Sequence, residues 1–77
     1  MIKLTLDLHG KTHQEAKEEV QASLLAASIT GSFDMDIITG NSDAMKNIVK
    51  EICNNHNFNY HYPVLNSGMM TVSYFKL

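Results

Sequence analysis

An aspartate and a histidine lie two residues apart near the start of the chain, in the run Leu6-Asp7-Leu8-His9-Gly10. A carboxylate and an imidazole that are held side by side can act as general base, general acid or phosphate contact. In a strand, residues two apart project from the same face. A half-exposed strand also needs polar residues on its solvated face, so a chemical pair and ordinary surface residues both fit this spacing.

Residues 2–8 predict the strand that carries the pair, because apolar and polar side chains alternate with a period of two. If Leu6 faces a core, then Asp7 and His9 face the other way, and a register shift of one residue would reverse this. Gly10 ends the strand where the chain turns towards a helix. The apolar side chains of this strand are Ile2, Leu4, Leu6 and Leu8.

Helix and strand signals then follow along the chain. Thr12 and Glu15 form a capping-box pattern, which predicts a helix that starts at Thr12 and runs to about Ile29. Ser42 is the expected N-cap of a second amphipathic helix. The predicted elements after the first strand are a helix at 12–29, a strand at 33–39, a helix at 43–54, and strands at 58–64 and 69–75.

The order βαβαββ predicts an α/β (α+β) two-layer sandwich that forms a single domain over residues 1–77. Both helices should cover one face of a four-stranded mixed sheet. The first three strands should run parallel and the last antiparallel, with Pro63 confining the third strand to an edge. The side chains expected to be mostly buried are Leu4, Leu6, Val20, Leu24, Ile37, Ile48, Val49 and Ile52.

Composition narrows the class of protein. The formal net charge of −2 argues against tight non-specific binding to phosphate backbones. The single cysteine, Cys53, excludes an internal disulfide framework and indicates a reduced, cytoplasmic setting with a core thiol. No apolar run reaches about 18 residues, so no membrane span is expected. The histidines are too scattered along the chain to predict a metal site.

Two motifs together resemble the Smr (small MutS-related) domain over essentially the whole chain. The first is Leu6-Asp7-Leu8-His9-Gly10, which matches the family's LDLHG, and the second is Ile37-Ile38-Thr39-Gly40 before the second helix, where the family has a TGxG or HGxG loop. The resemblance implies a two-layer fold like the C-terminal domain of translation initiation factor 3. It also implies binding of DNA or RNA, and in several members of the family nicking or cleavage of it.

Carried onto this chain, the resemblance makes Asp7 and His9 the candidate catalytic residues of an endonuclease. It does not fix a cofactor, and Mg²⁺ and Mn²⁺ are the ions to test. If the first two strands are neighbours, His9 should lie within about 6–10 Å of the loop after the second strand, as in anion sites at helix N-termini. The candidate phosphate contacts are Gly10, Lys11, Thr39, Gly40, Asn41, Ser42 and Lys46.

The second motif departs from the family pattern. Ser42 replaces the family's second loop glycine, and Asp43 places a negative charge in the first turn of the helix, where it would repel a phosphate. The alternative is therefore a non-catalytic module that binds nucleic acid or a protein partner. A strip of Ala22, Leu25 and Ile29 lies nearly opposite the predicted core stripe of the first helix, and it could pack on a loop or contact such a partner.

Overall fold

The computed structural model describes residues 2–77 and confirms the order βαβαββ. The elements are β1 (Ile2–Asp7), α1 (His13–Thr30), β2 (Phe33–Ile38), α2 (Asp43–His56), β3 (Asn59–His61) and β4 (Met69–Tyr74). Every element has a corrected boundary: β1, β2 and β4 each end one residue earlier than expected, α1 and α2 continue one and two residues further, and β3 is a short strand of three residues.

The four strands form one mixed sheet in the order β1-β2-β4-β3. β1 pairs parallel with β2, and β4 pairs antiparallel with both β2 and β3. The first three strands therefore run in one direction and the last in the other, as predicted. Both βαβ crossovers step the same way across the sheet, so right-handed connections place both helices on one face. The strand before Pro63 lies at an edge, also as predicted.

Both predicted helix starts are confirmed by their caps. The Glu15 N–H donates to the Thr12 hydroxyl at 3.1 Å, and the Thr12 N–H donates to the Glu15 carboxylate at 2.9 Å. This second bond lowers the pKa of Glu15 below its usual value. In α2, the Ser42 hydroxyl accepts the Met45 N–H at 3.2 Å. Each cap satisfies a backbone donor that has no partner within its helix.

The core lies between the helices and the covered face of the sheet, and it confirms the predicted register of β1. Leu6 faces this core opposite Ile37, while Asp7 is exposed. Leu4, Leu6 and Ile48 are only partly buried, contrary to the expectation. For the two leucines the reason is the position of β1, which is an edge strand with a neighbour on one side only. The expected core residues that are buried are Val20, Leu24, Ile37, Val49 and Ile52.

Leu8 follows β1 and is buried more deeply than the leucines within the strand, with 2% of its surface exposed. Cys53 is also buried, and burial raises its thiol pKa to about 11, which confirms the predicted core thiol. No helix within residues 2–77 is long and apolar enough to cross a membrane.

Leu8→Ala should lower the free energy of unfolding by about 2–5 kcal/mol, because it removes a fully buried side chain and leaves a cavity. Leu6→Ala should cost less, since part of the Leu6 side chain is already in contact with water. Urea denaturation followed by circular dichroism measures both. An equal or larger loss for Leu6→Ala would contradict the burial order of the two side chains.

Candidate nucleic-acid interface

The two sequence motifs meet at one end of the sheet. β1 and β2 are parallel neighbours with Asp7 opposite Ile38, and the Leu8 N–H donates to the Ile38 carbonyl at 3.0 Å. The turn at residues 8–11, here the first-motif turn, therefore lies beside residues 39–42, here the second-motif loop. In parallel α/β sheets, function gathers at this carboxyl end of the strands. The adjacency follows the prediction, and the distance of about 6–10 Å stays a prediction.

His9 lies in the first-motif turn, beyond the end of β1, and this corrects the expectation that it projects from the strand on the same face as Asp7. The Lys11 N–H donates to the Leu8 carbonyl at 3.2 Å, and Gly10 has a φ of +77°. This geometry is that of a β-turn whose third residue needs a left-handed conformation, which glycine adopts without strain. His9 is thus an exposed side chain at the corner of a closed turn.

The side chain of Asp7 accepts a hydrogen bond from the first-motif turn. Its Oδ1 accepts the backbone N–H of His9 at 2.9 Å, while the residue itself remains exposed. One oxygen of the carboxylate thereby fixes the backbone that carries the imidazole. Asp7 and His9 are therefore adjacent and accessible to solvent, as a pair that acts on a bound ligand must be.

Lys11 is already engaged in an ion pair. Its Nζ lies 2.7 Å from the Glu19 carboxylate on α1. This hydrogen bond and the charge of Glu19 raise the pKa of Lys11, with smaller contributions from Glu15 and Asp7. A phosphate that binds Lys11 must therefore compete with Glu19 for the ammonium group.

The second-motif loop is held by a segment that the sequence did not indicate. The Gly68 carbonyl accepts the N–H groups of both Thr39 and Gly40, each at 2.9 Å. The Ser67 hydroxyl donates to the Asn41 side chain at 3.0 Å. In the sequence, residues 66–68 belong to the short connection between the third and fourth predicted strands, and nothing there points to contact with a loop nearly thirty positions earlier.

Thr39 therefore has a different environment from an exposed phosphate contact. It is buried, and its hydroxyl lies 2.9 Å from the Gly40 carbonyl and 3.3 Å from the Gly68 carbonyl. Its backbone N–H and that of Gly40 are both used within the fold. In the second-motif loop, the side chain of Asn41 and the start of α2 remain at the surface.

The start of α2 supplies the remaining anion-attracting groups. The first backbone N–H groups of a helix have no intrahelical partner, and of these the Met45 N–H is taken by Ser42. Lys46 is partly exposed one turn into the helix and would attract an anion. The exposed Asp43 carboxylate offsets the positive end of the helix dipole and so weakens the attraction. The local charge balance at this end of α2 is thus close to neutral.

The uncovered face of the sheet is unsuited to a phosphate backbone. Asp36 pairs with Lys3 at 3.6 Å and accepts a hydrogen bond from Thr71, and Asp34 accepts one from Ser73. These carboxylates are partly buried and their polar partners lie within the sheet. The face is therefore acidic as well as internally satisfied, which leaves the loop end as the site for an anion.

Two further surfaces lie on the helical side. A groove of about 350 Å³ runs between α1 and α2, and the predicted strip of Ala22, Leu25 and Ile29 is exposed on α1. Within residues 2–77, no group of three or more His, Cys, Asp or Glu side chains is arranged to hold a metal ion. The groove is lined by Lys17, Gln21, Ile48, Glu51, Ile52, Asn55 and His56.

Comparison with known proteins identifies the family. The family model described as the Smr domain matches residues 6–72, which include both motifs, both helices, β2 and β3 but leave out the first part of β1 and the end of β4. Searches among curated proteins and among solved structures found no match, so the likeness to the initiation-factor domain stays a prediction. The match covers most of the chain, and it agrees with the element order and with the two motifs, which meet at one end of the sheet. The chain therefore belongs to the Smr domain family.

Proposed function

We propose that this Smr domain binds nucleic acid at the end of the sheet where its two motifs meet, and that Asp7 and His9 cleave a phosphodiester bond there. The observation that carries the proposal is the pairing of β1 with β2, which brings an exposed carboxylate and imidazole beside the start of α2. Membership of the Smr family supports the same ligand class.

The phosphate would lie between His9 and the start of α2. Lys46 and the free N–H groups of the first helical turn attract its oxygens, as helix N-termini do for other anions. Asn41 offers a further polar contact from the second-motif loop. Thr39 and Gly40 keep this loop in place through Gly68 and do not donate to the ligand.

Cleavage requires a proton acceptor and a proton donor. Asp7 takes the proton from the attacking water or hydroxyl group while the oxygen of that group forms a bond to phosphorus. His9, as the acid, gives a proton to the leaving oxygen while the bond between that oxygen and phosphorus breaks. Asp7 also holds the backbone of His9, so its loss affects both groups. A divalent ion that binds beside the phosphate would take Asp7 as its carboxylate ligand from the first motif, with phosphate oxygens and water among its other ligands.

Asp7→Asn and His9→Ala should each lower the rate of cleavage by about 100-fold or more, the usual contribution of a positioned acid or base. The measurement is cleavage of single-stranded, duplex and branched DNA and of structured RNA, with and without Mg²⁺ or Mn²⁺. His61→Ala, which removes an exposed histidine on β3, is the matched control and should keep full activity. Activity that survives in both variants at the site rules out the proposed mechanism.

Glu19→Gln should increase affinity for single-stranded DNA, because it frees the ammonium group of Lys11 from its ion pair. One additional phosphate contact steepens the dependence of log affinity on log salt by about 0.7 for a single strand. Glu51→Gln makes the same change in net charge at an exposed residue that borders the groove between α1 and α2, and it is the control. Fluorescence anisotropy at several salt concentrations compares them. Equal slopes for the two variants would show that Glu19 does not keep Lys11 from contacting phosphate.

Docking on another protein is the second candidate function. Three observations favour it: Lys11 is paired, the amides of Thr39 and Gly40 are used by Gly68, and apolar side chains are exposed along α1. Each of the first two observations reduces the capacity for phosphate. The third supplies an apolar surface outside the core, centred on Leu25 and Ile29.

Leu25→Glu should abolish a protein complex if α1 is the docking surface, because it places a charge in the centre of the apolar strip. His13→Glu, an exposed change at the first residue of the same helix, should leave the complex intact. Affinity capture from cell extract followed by sedimentation of the purified complex measures both. Equal recovery of the partner with both variants would exclude this surface.

A further inference from the structure

The connection between β3 and β4 ends in an exposed apolar tip. The Asn66 N–H donates to the Pro63 carbonyl at 3.4 Å, which closes a four-residue turn with Val64 and Leu65 at its centre. These two side chains are 97% and 98% exposed. Central turn positions usually carry Gly, Pro, Asn, Asp or Ser, so the fold gives no reason for two aliphatic residues here.

The tip, Val64 and Leu65, is connected to the second-motif loop through hydrogen bonds of the residues that follow it. Asn66 Oδ1 accepts the Gly68 N–H at 3.0 Å, Gly68 accepts from the loop, and Ser67 bonds Asn41. Leu65 precedes Gly68 by three residues, which span at most about 11 Å of chain. A ligand that reaches the second-motif loop therefore lies within about three base steps of the tip.

The chemistry of the tip selects its ligand. The chain from Phe58 to Met69 contains no Lys, Arg, Asp or Glu, so this segment has no fixed charge with which to attract a phosphate. Aliphatic side chains complement the flat apolar face of a nucleobase. In a duplex those faces are covered by stacking, and opening a step costs free energy, whereas a single strand presents them at little cost.

We infer that Val64 and Leu65 contact the face of an unpaired nucleobase beside the bound phosphate, and that this contact makes single-stranded or locally unpaired nucleic acid the preferred substrate class. The inference rests on the proposed function, since it places the base next to the phosphate site. It also supplies affinity that an acidic domain with few free lysines does not obtain from phosphate contacts.

Val64→Ser combined with Leu65→Ser tests the inference without disturbing the core, because both side chains lie in solvent. Phe75→Ser is the matched control, since Phe75 is also largely exposed but follows Tyr74, which pairs with Phe33 at the opposite end of the sheet. The probes are labelled DNA and RNA of one sequence as single strand, duplex and duplex with an internal unpaired bulge. A 2-aminopurine in the bulge reports contact with the base.

The double variant should bind the single strand and the bulge about tenfold more weakly than the wild type, with duplex binding unchanged, as expected for loss of one base contact. The loss should be the same at low and high salt, because no charge is removed. Wild type and Phe75→Ser should both change the 2-aminopurine emission, and the double variant should not.

Three results would overturn the inference, and they differ in what they leave standing. If the double variant keeps the wild-type preference, the tip makes no base contact while the proposed function survives. If it weakens single strand and duplex equally, the tip does not select unpaired bases. If neither the wild type nor Phe75→Ser binds any probe, the proposed function fails and the inference with it. In that case, loss of a protein complex in the double variant would assign the tip to a protein partner.

Discussion

The parallel pairing of β1 with β2 is the constraint on which the site depends. Because Asp7 lies opposite Ile38 and the Leu8 N–H bonds the Ile38 carbonyl, both strands end at the same level of the sheet. Leu8 then enters the core, which anchors the chain immediately before His9. The first-motif turn and the second-motif loop are about thirty residues apart in sequence. Backbone hydrogen bonds and one buried side chain thereby hold them side by side.

At the same end of the molecule, several polar groups that could bind a ligand already bond to other groups of the domain. Glu19 occupies the ammonium group of Lys11, and the Gly68 carbonyl occupies two N–H groups of the second-motif loop. A ligand gains only from groups that the fold leaves open or from partners that it can displace. Displacing a partly exposed carboxylate such as Glu19 costs little, because ion pairs at the surface contribute little to stability. Displacing the Gly68 carbonyl would break the two hydrogen bonds that hold the second-motif loop in place.

How far the sequence predicted this arrangement depends on the range of each interaction. The caps at Thr12 and Ser42, the element order and the strand directions were predicted because they follow from local patterns and short connections. The role of Gly68 was not predicted, since its carbonyl acts across 29 residues and every residue type has a carbonyl. The end of β1 at Asp7 was misjudged because Leu8 continues the alternation after the chain has left the sheet.

The exposure of Asp7 and His9 has a consequence for how such a site can work. Charged groups in water interact weakly, and they gain strength when a ligand excludes solvent around them. Within residues 2–77 no segment covers Asp7 and His9, so in the proposed reaction the nucleic acid itself must cover the pair. A flexible strand that contacts both the start of α2 and the apolar tip would exclude more water there than a duplex, whose base faces are already covered by stacking. Chemistry at this site would therefore depend on contacts to the substrate that lie beyond the reacting phosphate.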